Sequence, residues 1–131
     1  MKAKKTLFTV ESHTMGEPLR LVVGGVPTLR GSTIPEKRQY FIDHYDYMRQ
    51  TIMREPRGHR DMFGCILTEP TMPEADVGVI FMHGEGFHNM CGHGTIATNT
   101  ILVETGMVPV TEPETIVKME APAGLVTAHI Q

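Results

Sequence analysis

The sequence predicts an α+β domain, and three observations carry that reading. Short β-prone runs recur along the chain, two segments carry helical periodicity, and the two kinds of segment interleave. Residues 7–10 and 19–23 read as strands joined through a polar loop at 11–18, a hairpin with an elaborate connection closed off by Gly24-Gly25. Thr33 and Glu36 then have capping-box spacing, and Pro35 sits in a first turn where its missing N–H costs nothing. Phe41, Tyr45, Met48 and Ile52 recur at helical steps, which predicts a helix to Met53 with that stripe on a core. Lys37, Arg38, Asp43, Asp46 and Arg49 fall on its other, solvated face.

Pro56 and Gly58 break this helix. Residues 62–68 and the more continuously apolar 77–82 are the next strands, separated by a turn carrying Pro70 and Pro73. Gly84-Glu85-Gly86 opens a loop ending at Met90. The second helix starts at or just after Cys91, carries its periodicity on Ile96, Thr100, Ile101 and Val103, and stops before Gly106. After a loop at 108–113, residues 115–120 and 125–130 form two strands around Pro122-Ala123-Gly124. No repeat or low-complexity tract interrupts the chain.

Composition narrows the function classes. The 131 residues hold 12 Lys and Arg against 15 Asp and Glu, a net charge of −3 that argues against a nucleic-acid or anionic-membrane partner. No apolar run approaches the roughly 18 residues of a membrane span. Lys2, Lys4 and Lys5 are not followed by the apolar core of a signal peptide. Two cysteines in so short a chain make no disulfide framework, which predicts a reducing, cytoplasmic setting.

The segment with chemical character is Asn89-Met90-Cys91-Gly92-His93-Gly94-Thr95. It places a thiol at a helix N-terminus, where unpaired N–H groups and a partial positive charge favour a thiolate and lower the thiol pKa. Gly92 and Gly94 leave the amides of Gly92, His93 and Gly94 open to an anionic ligand. A carboxylate held there beside a thiolate is an arrangement for removing a proton α to that carboxylate.

Blander readings compete. A cysteine is often a small buried hydrophobe, and Cys65, inside a strand, fits that description. Gly92-His93-Gly94 could cradle a phosphate, but it lacks the longer fingerprint and the lysine of a P-loop. His83, His88, Cys91 and His93 lie close in sequence, yet neither the helical His pair nor the cysteine knuckles of a metal site are present. A reducing compartment disfavours a Cys65–Cys91 disulfide.

The block from Met90 to Ala97 (Met-Cys-Gly-His-Gly-Thr-Ile-Ala) resembles the first catalytic-cysteine motif of the proline racemase family, which includes hydroxyproline 2-epimerases and trans-3-hydroxyproline dehydratases. Ser12-His13-Thr14 with Gly16-Glu17 is similar to that family's opening signature. Glu55-Pro56-Arg57-Gly58-His59 with Asp61-Met62-Phe63-Gly64 resembles its second block, and Glu120-Ala121-Pro122-Ala123-Gly124-Leu125 a third. The resemblance implies one lobe of a diaminopimelate-epimerase-like fold, a mixed sheet wrapped around a central helix. It also implies an active site between two such lobes, each presenting a cysteine at a helix start, and neither pyridoxal phosphate nor metal. It assigns Cys91 as one acid/base residue, Gly92 and His93 as donors to the substrate carboxylate, and Phe63 as the aromatic beside the substrate ring. A core phenylalanine on a strand is the alternative for Phe63. The implied substrate is proline, tipped over hydroxyproline by Phe63, and the implied full-length assembly is a homodimer.

The family's second motif, of the type Asp-Arg-Ser-Pro-Cys-Gly-Thr-Gly-Thr, does not occur in these 131 residues, and Cys65 is on a strand and cannot replace its cysteine. The expectation is therefore an N-terminal lobe at 1–131, a fragment whose second lobe is absent. It should be unable to invert a stereocentre alone, and its inner face should expose apolar surface prone to association. The alternatives are an inactive chain that truly ends at Gln131 and, outside enzymes, a one-lobe binding module without turnover; within the family, hydroxyproline 2-epimerase and trans-3-hydroxyproline dehydratase are the alternatives to proline racemase.

Overall fold

The computed structural model describes residues 5–131. Strands β1 (Phe8–Thr14) and β2 (Glu17–Gly24) are followed by helix α1 (Ile34–Met53). Strands β3 (Phe63–Thr68), β4 (Val77–His83) and the short β5 (Gly86–His88) lead to helix α2 (Gly92–Glu104), and β6 (Thr115–Ala121) and β7 (Gly124–Ile130) complete the chain. The strands form one mixed sheet in the order β1-β2-β3-β4-β6-β7, with β5 paired to β4. The β2/β3 and β4/β6 pairs are parallel and the others antiparallel.

Alternation along the central strands builds two cores. Leu19, Leu21, Cys65, Val79, Phe81, Val117, Met119 and Ala121 point to one face and pack with Ala97, Ile101 and Leu102 of α2. Val22, Ile66, Ile80 and Met82 point to the other and pack with Ile34, Phe41, Met48, Ile52 and Met53 of α1. The expected α+β class and mixed sheet are thus observed, with α2 against the inner face and α1 outside.

Three expectations change. The elaborate connection between the first strands is instead a two-residue turn, Met15-Gly16, with φ of 51° and 90°. Positive φ at both central positions is the tight hairpin geometry, usually signalled by Asn-Gly, and here methionine hides it. Residues 11–14 and 17–18 therefore belong to strands, and Glu11 sits opposite Arg20 and bonds its guanidinium at 2.6 Å. The second change is β5, which lies where a loop was expected.

The third change concerns α1. Its Thr33 side chain caps the Glu36 amide at 3.2 Å as expected, but the Glu36 carboxylate reaches back to the Ser32 amide and hydroxyl, at 2.7 and 2.6 Å. Lys37 and Arg49, expected in solvent, are buried. Lys37 donates to the Glu69 carbonyl at 2.5 Å. Arg49 donates to Asp46 and to the carbonyls of His83 and Gly84, at 3.0 and 2.8 Å for the two carbonyls. A buried cation is tolerable when its donors are all directed at acceptors, and these two tie α1 to the turns beside β4.

Candidate active site

Cys91 is the N-cap of α2, in an extended conformation (φ −141°, ψ 112°), and its side chain makes no capping hydrogen bond. The helix instead begins with the Thr95 amide on the Cys91 carbonyl at 2.8 Å, joined by the Thr95 hydroxyl at 2.8 Å. The thiol is half-buried at the helix start. The two neighbouring glycines differ in why they are there. A Cβ on Gly94 would lie 3.0 Å from the Cys91 Sγ and 3.2 Å from Phe81, so glycine lets the sulfur tuck against the first turn. A Cβ on Gly92 would meet nothing within 4 Å, so nothing in the described residues demands glycine there.

Phe63, at the start of β3, forms a wall beside this thiol. Its ring meets His93 edge-on at 4.7 Å between centroids and stacks on His88 at 5.7 Å, while His83 and His88 stack on each other at 4.4 Å. The His93 Nδ1 is 3.5 Å from the Cys91 Sγ. The structure thus brings together all four residues singled out from the sequence, Cys91, Gly92, His93 and Phe63, with Phe63 half-buried and packed against the α2-side core. The histidines stack instead of converging, and among the described residues no three His, Cys, Asp or Glu side chains are placed to hold a metal. Cys65 and Cys91 are both free thiols.

The expected lowering of the Cys91 pKa is not what this site does. Burial of the thiol pushes its pKa up, the Gly94 amide pulls it back, and the Glu17 carboxylate adds to the rise. The helix start alone does not outweigh desolvation. Cys65, enclosed in the core, is pushed up to about 12 by the same burial. The two thiols should therefore separate chemically: iodoacetamide at pH 8–9 modifies Cys91 in the native protein and Cys65 only in denaturant, read by mass of the peptides that carry them. Modification of Cys65 at the native rate of Cys91 would contradict this placement.

Supporting groups come from positions whose roles the sequence did not disclose. The Met15-Gly16 turn carries the Thr14 hydroxyl to the His93 carbonyl at 3.3 Å and sets Glu17 near the thiol. Gly16, Glu17, Pro18, His59, Asp61 and Phe63 line an open cavity of about 530 Å³ beside the aromatic wall. The Ala123 amide, in the β6–β7 turn, donates to the Asn89 carbonyl at 3.2 Å, and Arg38 reaches the Asn89 side chain at 2.8 Å, fixing the loop that delivers Cys91. Met90 and Ile96, which flank the helix start, are 43% and 58% exposed.

Comparison with known proteins decides the family. The proline racemase family profile matches residues 9–131. This chain belongs to the proline racemase family. It is 52% identical over 130 residues to a proline racemase of Clostridioides difficile, and 49% identical over 129 residues to a trans-3-hydroxy-L-proline dehydratase of Bacillus cereus. Those alignments cover 99% and 98% of this chain, and 39% of each relative. A hydroxyproline epimerase from Agrobacterium vitis, solved with bound trans-4-hydroxy-L-proline, superposes on all of this chain and on 39% of its own, with a TM-score of 0.91 at 30% identity. The chain thus spans about two-fifths of the length of these family members. No helix among the described residues is long and apolar enough to cross a membrane.

Proposed function

We propose that these residues are the N-terminal lobe of a cofactor-independent proline racemase that interconverts L- and D-proline by proton transfer at the α-carbon. The observation that carries this reading is the half-buried Cys91 thiol at the N-terminus of α2, 3.5 Å from the His93 ring that meets Phe63 edge-on. The α-proton of an amino acid is very weakly acidic, so the transition state needs charge stabilisation at the carboxylate. In this reading the amides of Gly92 and His93, the first residues of α2, supply it at the positive end of the helix. Phe63 packs against the pyrrolidine ring. Glu17 and Asp61, on the cavity beside it, give that end a negative potential suited to the ring ammonium.

Inversion needs a base on one face and an acid on the other. Cys91 fills one role, and a cysteine from a second lobe fills the other. In one direction Cys91 as thiolate takes the α-proton and becomes a thiol, while the opposite thiol gives its proton to the other face and becomes a thiolate. Charge balances, and the pair returns in the reverse direction. The elevated pKa of Cys91 suits the state in which it is the donor. Every proton moves through sulfur, so the reading assigns no role to pyridoxal phosphate or metal. It also makes the 131-residue lobe inactive by itself, since one face of the substrate is unserved.

A second reading, hydroxyproline 2-epimerisation, is favoured by the hydroxyproline bound in the Agrobacterium vitis structure. Polarimetry of the full-length protein with L-proline and with trans-4-hydroxy-L-proline separates the two. Loss of rotation with proline and little change with hydroxyproline is the expected result. Preferential turnover of hydroxyproline would transfer the assignment to the epimerase, and inversion of neither would refute both.

A further inference from the structure

A second cavity lies on the opposite side of the sheet from Cys91. It encloses about 780 Å³ between α1, the strand β1–β2 edge and the loop after α1. That volume lies within the ~300–1,000 Å³ typical of small-molecule sites. Met48 and Ile52 of α1, both buried, form an apolar floor together with Leu7, and Tyr47 stands at the rim.

The ionisable lining residues are Lys5, Arg20, Arg57 and Tyr47, and no carboxylate lines the cavity among the described residues. Arg20 is already committed: it bonds Glu11 at 2.6 Å and the carbonyls of Ile52 and Arg57 at 2.7 and 2.8 Å, which fixes the loop carrying Arg57. The guanidinium of Arg57 has no hydrogen-bond partner among the described residues and is exposed. Lys5 stands over the Tyr47 ring at 5.9 Å, and its ammonium has no anion beside it among the described residues. In a chain of net charge −3, two uncompensated cations over an apolar floor are a local exception.

From this juxtaposition we infer a second ligand site, one that takes a small amphiphilic monoanion. The carboxylate or similar head lies between Lys5 and Arg57, and the aliphatic or aromatic body lies on Leu7, Met48 and Ile52. Neither half of the site suffices alone. The floor would accept any apolar chain, and the cations select against neutral and positive heads. The site is independent of the proposed racemase chemistry, because its lining includes neither Cys91, Gly92, His93 and Phe63 nor any other residue of the cavity beside Phe63.

Octanoate is the probe, followed by calorimetry on the full-length protein, with octylammonium and 1-octanol as controls of equal chain length. Octanoate should bind at one equivalent, at least tenfold more tightly than either control, and more weakly as salt rises. The double variant Lys5→Glu, Arg57→Glu should lose at least tenfold in octanoate affinity at an unchanged melting temperature. Thr51→Phe, which fills the cavity from its rim, should reduce binding of all three probes. Carboxymethylation of Cys91 should leave octanoate binding intact, which keeps this result separate from the fate of the racemase reading. Equal affinity for octanoate and octylammonium, insensitivity to the charge reversal, loss on Cys91 modification, or absence of binding at millimolar octanoate would each overturn the inference.

Discussion

Cys91→Ser in the full-length protein should lower racemisation of proline by at least about a thousandfold, while the protein keeps its melting temperature and its affinity for a proline-like carboxylate. The size follows from the role. Removing a group that itself carries the proton costs the whole of that step, and a serine hydroxyl in the same place is far too weakly acidic to replace it. Stability is spared because the Cys91 side chain makes no cap and the helix is closed by its carbonyl, which serine retains. Binding is spared because the proposed carboxylate donors are backbone amides. A residual rate within tenfold of the parent would show that Cys91 is a packing residue. A large drop in melting temperature would show that its sulfur is structural. Thiol modification and pH should agree with this: alkylation of Cys91 accelerates as pH rises toward and beyond the ordinary thiol value of 9.0, because burial and Glu17 hold the folded group above it.

Glu120→Ala should be the most destabilising single change among the polar residues, by about 3–5 kcal/mol. Glu120 is buried on β6 and its carboxylate accepts from the Thr71 hydroxyl, the Thr71 amide at 2.5 Å and the Met72 amide at 3.0 Å. Alanine would leave those donors without partners and release the β3–β4 turn from the far strand. The pH dependence has a definite sign. Burial raises the Glu120 pKa, but the Thr71 hydroxyl and the two amides more than offset it, so the folded value lies below the usual 4.5. A depressed folded pKa contributes stability that is fully present above 4.5 and is lost as pH falls through the folded value. Urea unfolding at pH 7 and in the acid range should therefore show the gap between parent and Glu120→Ala narrowing on acidification. A gap below about 1 kcal/mol at pH 7 would mean the Thr71–Met72 turn finds other partners.

Much of the frame was legible because it is written in local chemistry. Thr33 with Glu36 marked the start of α1, the stripe through Phe41, Met48 and Ile52 marked its buried face, and Gly92 and Gly94 marked the start of α2 around Cys91. What escaped was decided by tertiary context. Met15 adopts a positive φ that glycine or asparagine would normally announce, so the first hairpin read as a loop. Lys37 and Arg49 read as solvated charges because their acceptors, the carbonyls of Glu69, His83 and Gly84, lie more than thirty residues away. The direction of the Cys91 pKa escaped for the same reason. The helix start is visible in sequence, whereas the burial and the Glu17 carboxylate that outweigh it are brought by the fold. The three sequence blocks outside the cysteine motif likewise gain a physical meaning only in three dimensions. The first delivers Thr14 and Glu17, the second lines the cavity with His59, Asp61 and Phe63, and the third anchors through Glu120 and Ala123.

The central claim is that Cys91 moves the α-proton together with a partner on the opposite face. Incubating L-proline with the full-length protein in D2O, and following deuterium at Cα by NMR alongside the enantiomer ratio, tests it most directly. The expected result is one deuterium at Cα of the D-proline formed, with little in the remaining L-proline at early times, and loss of both exchange and inversion in Cys91→Ser. Inversion that proceeds without solvent deuterium, or exchange that persists undiminished in Cys91→Ser, would contradict it.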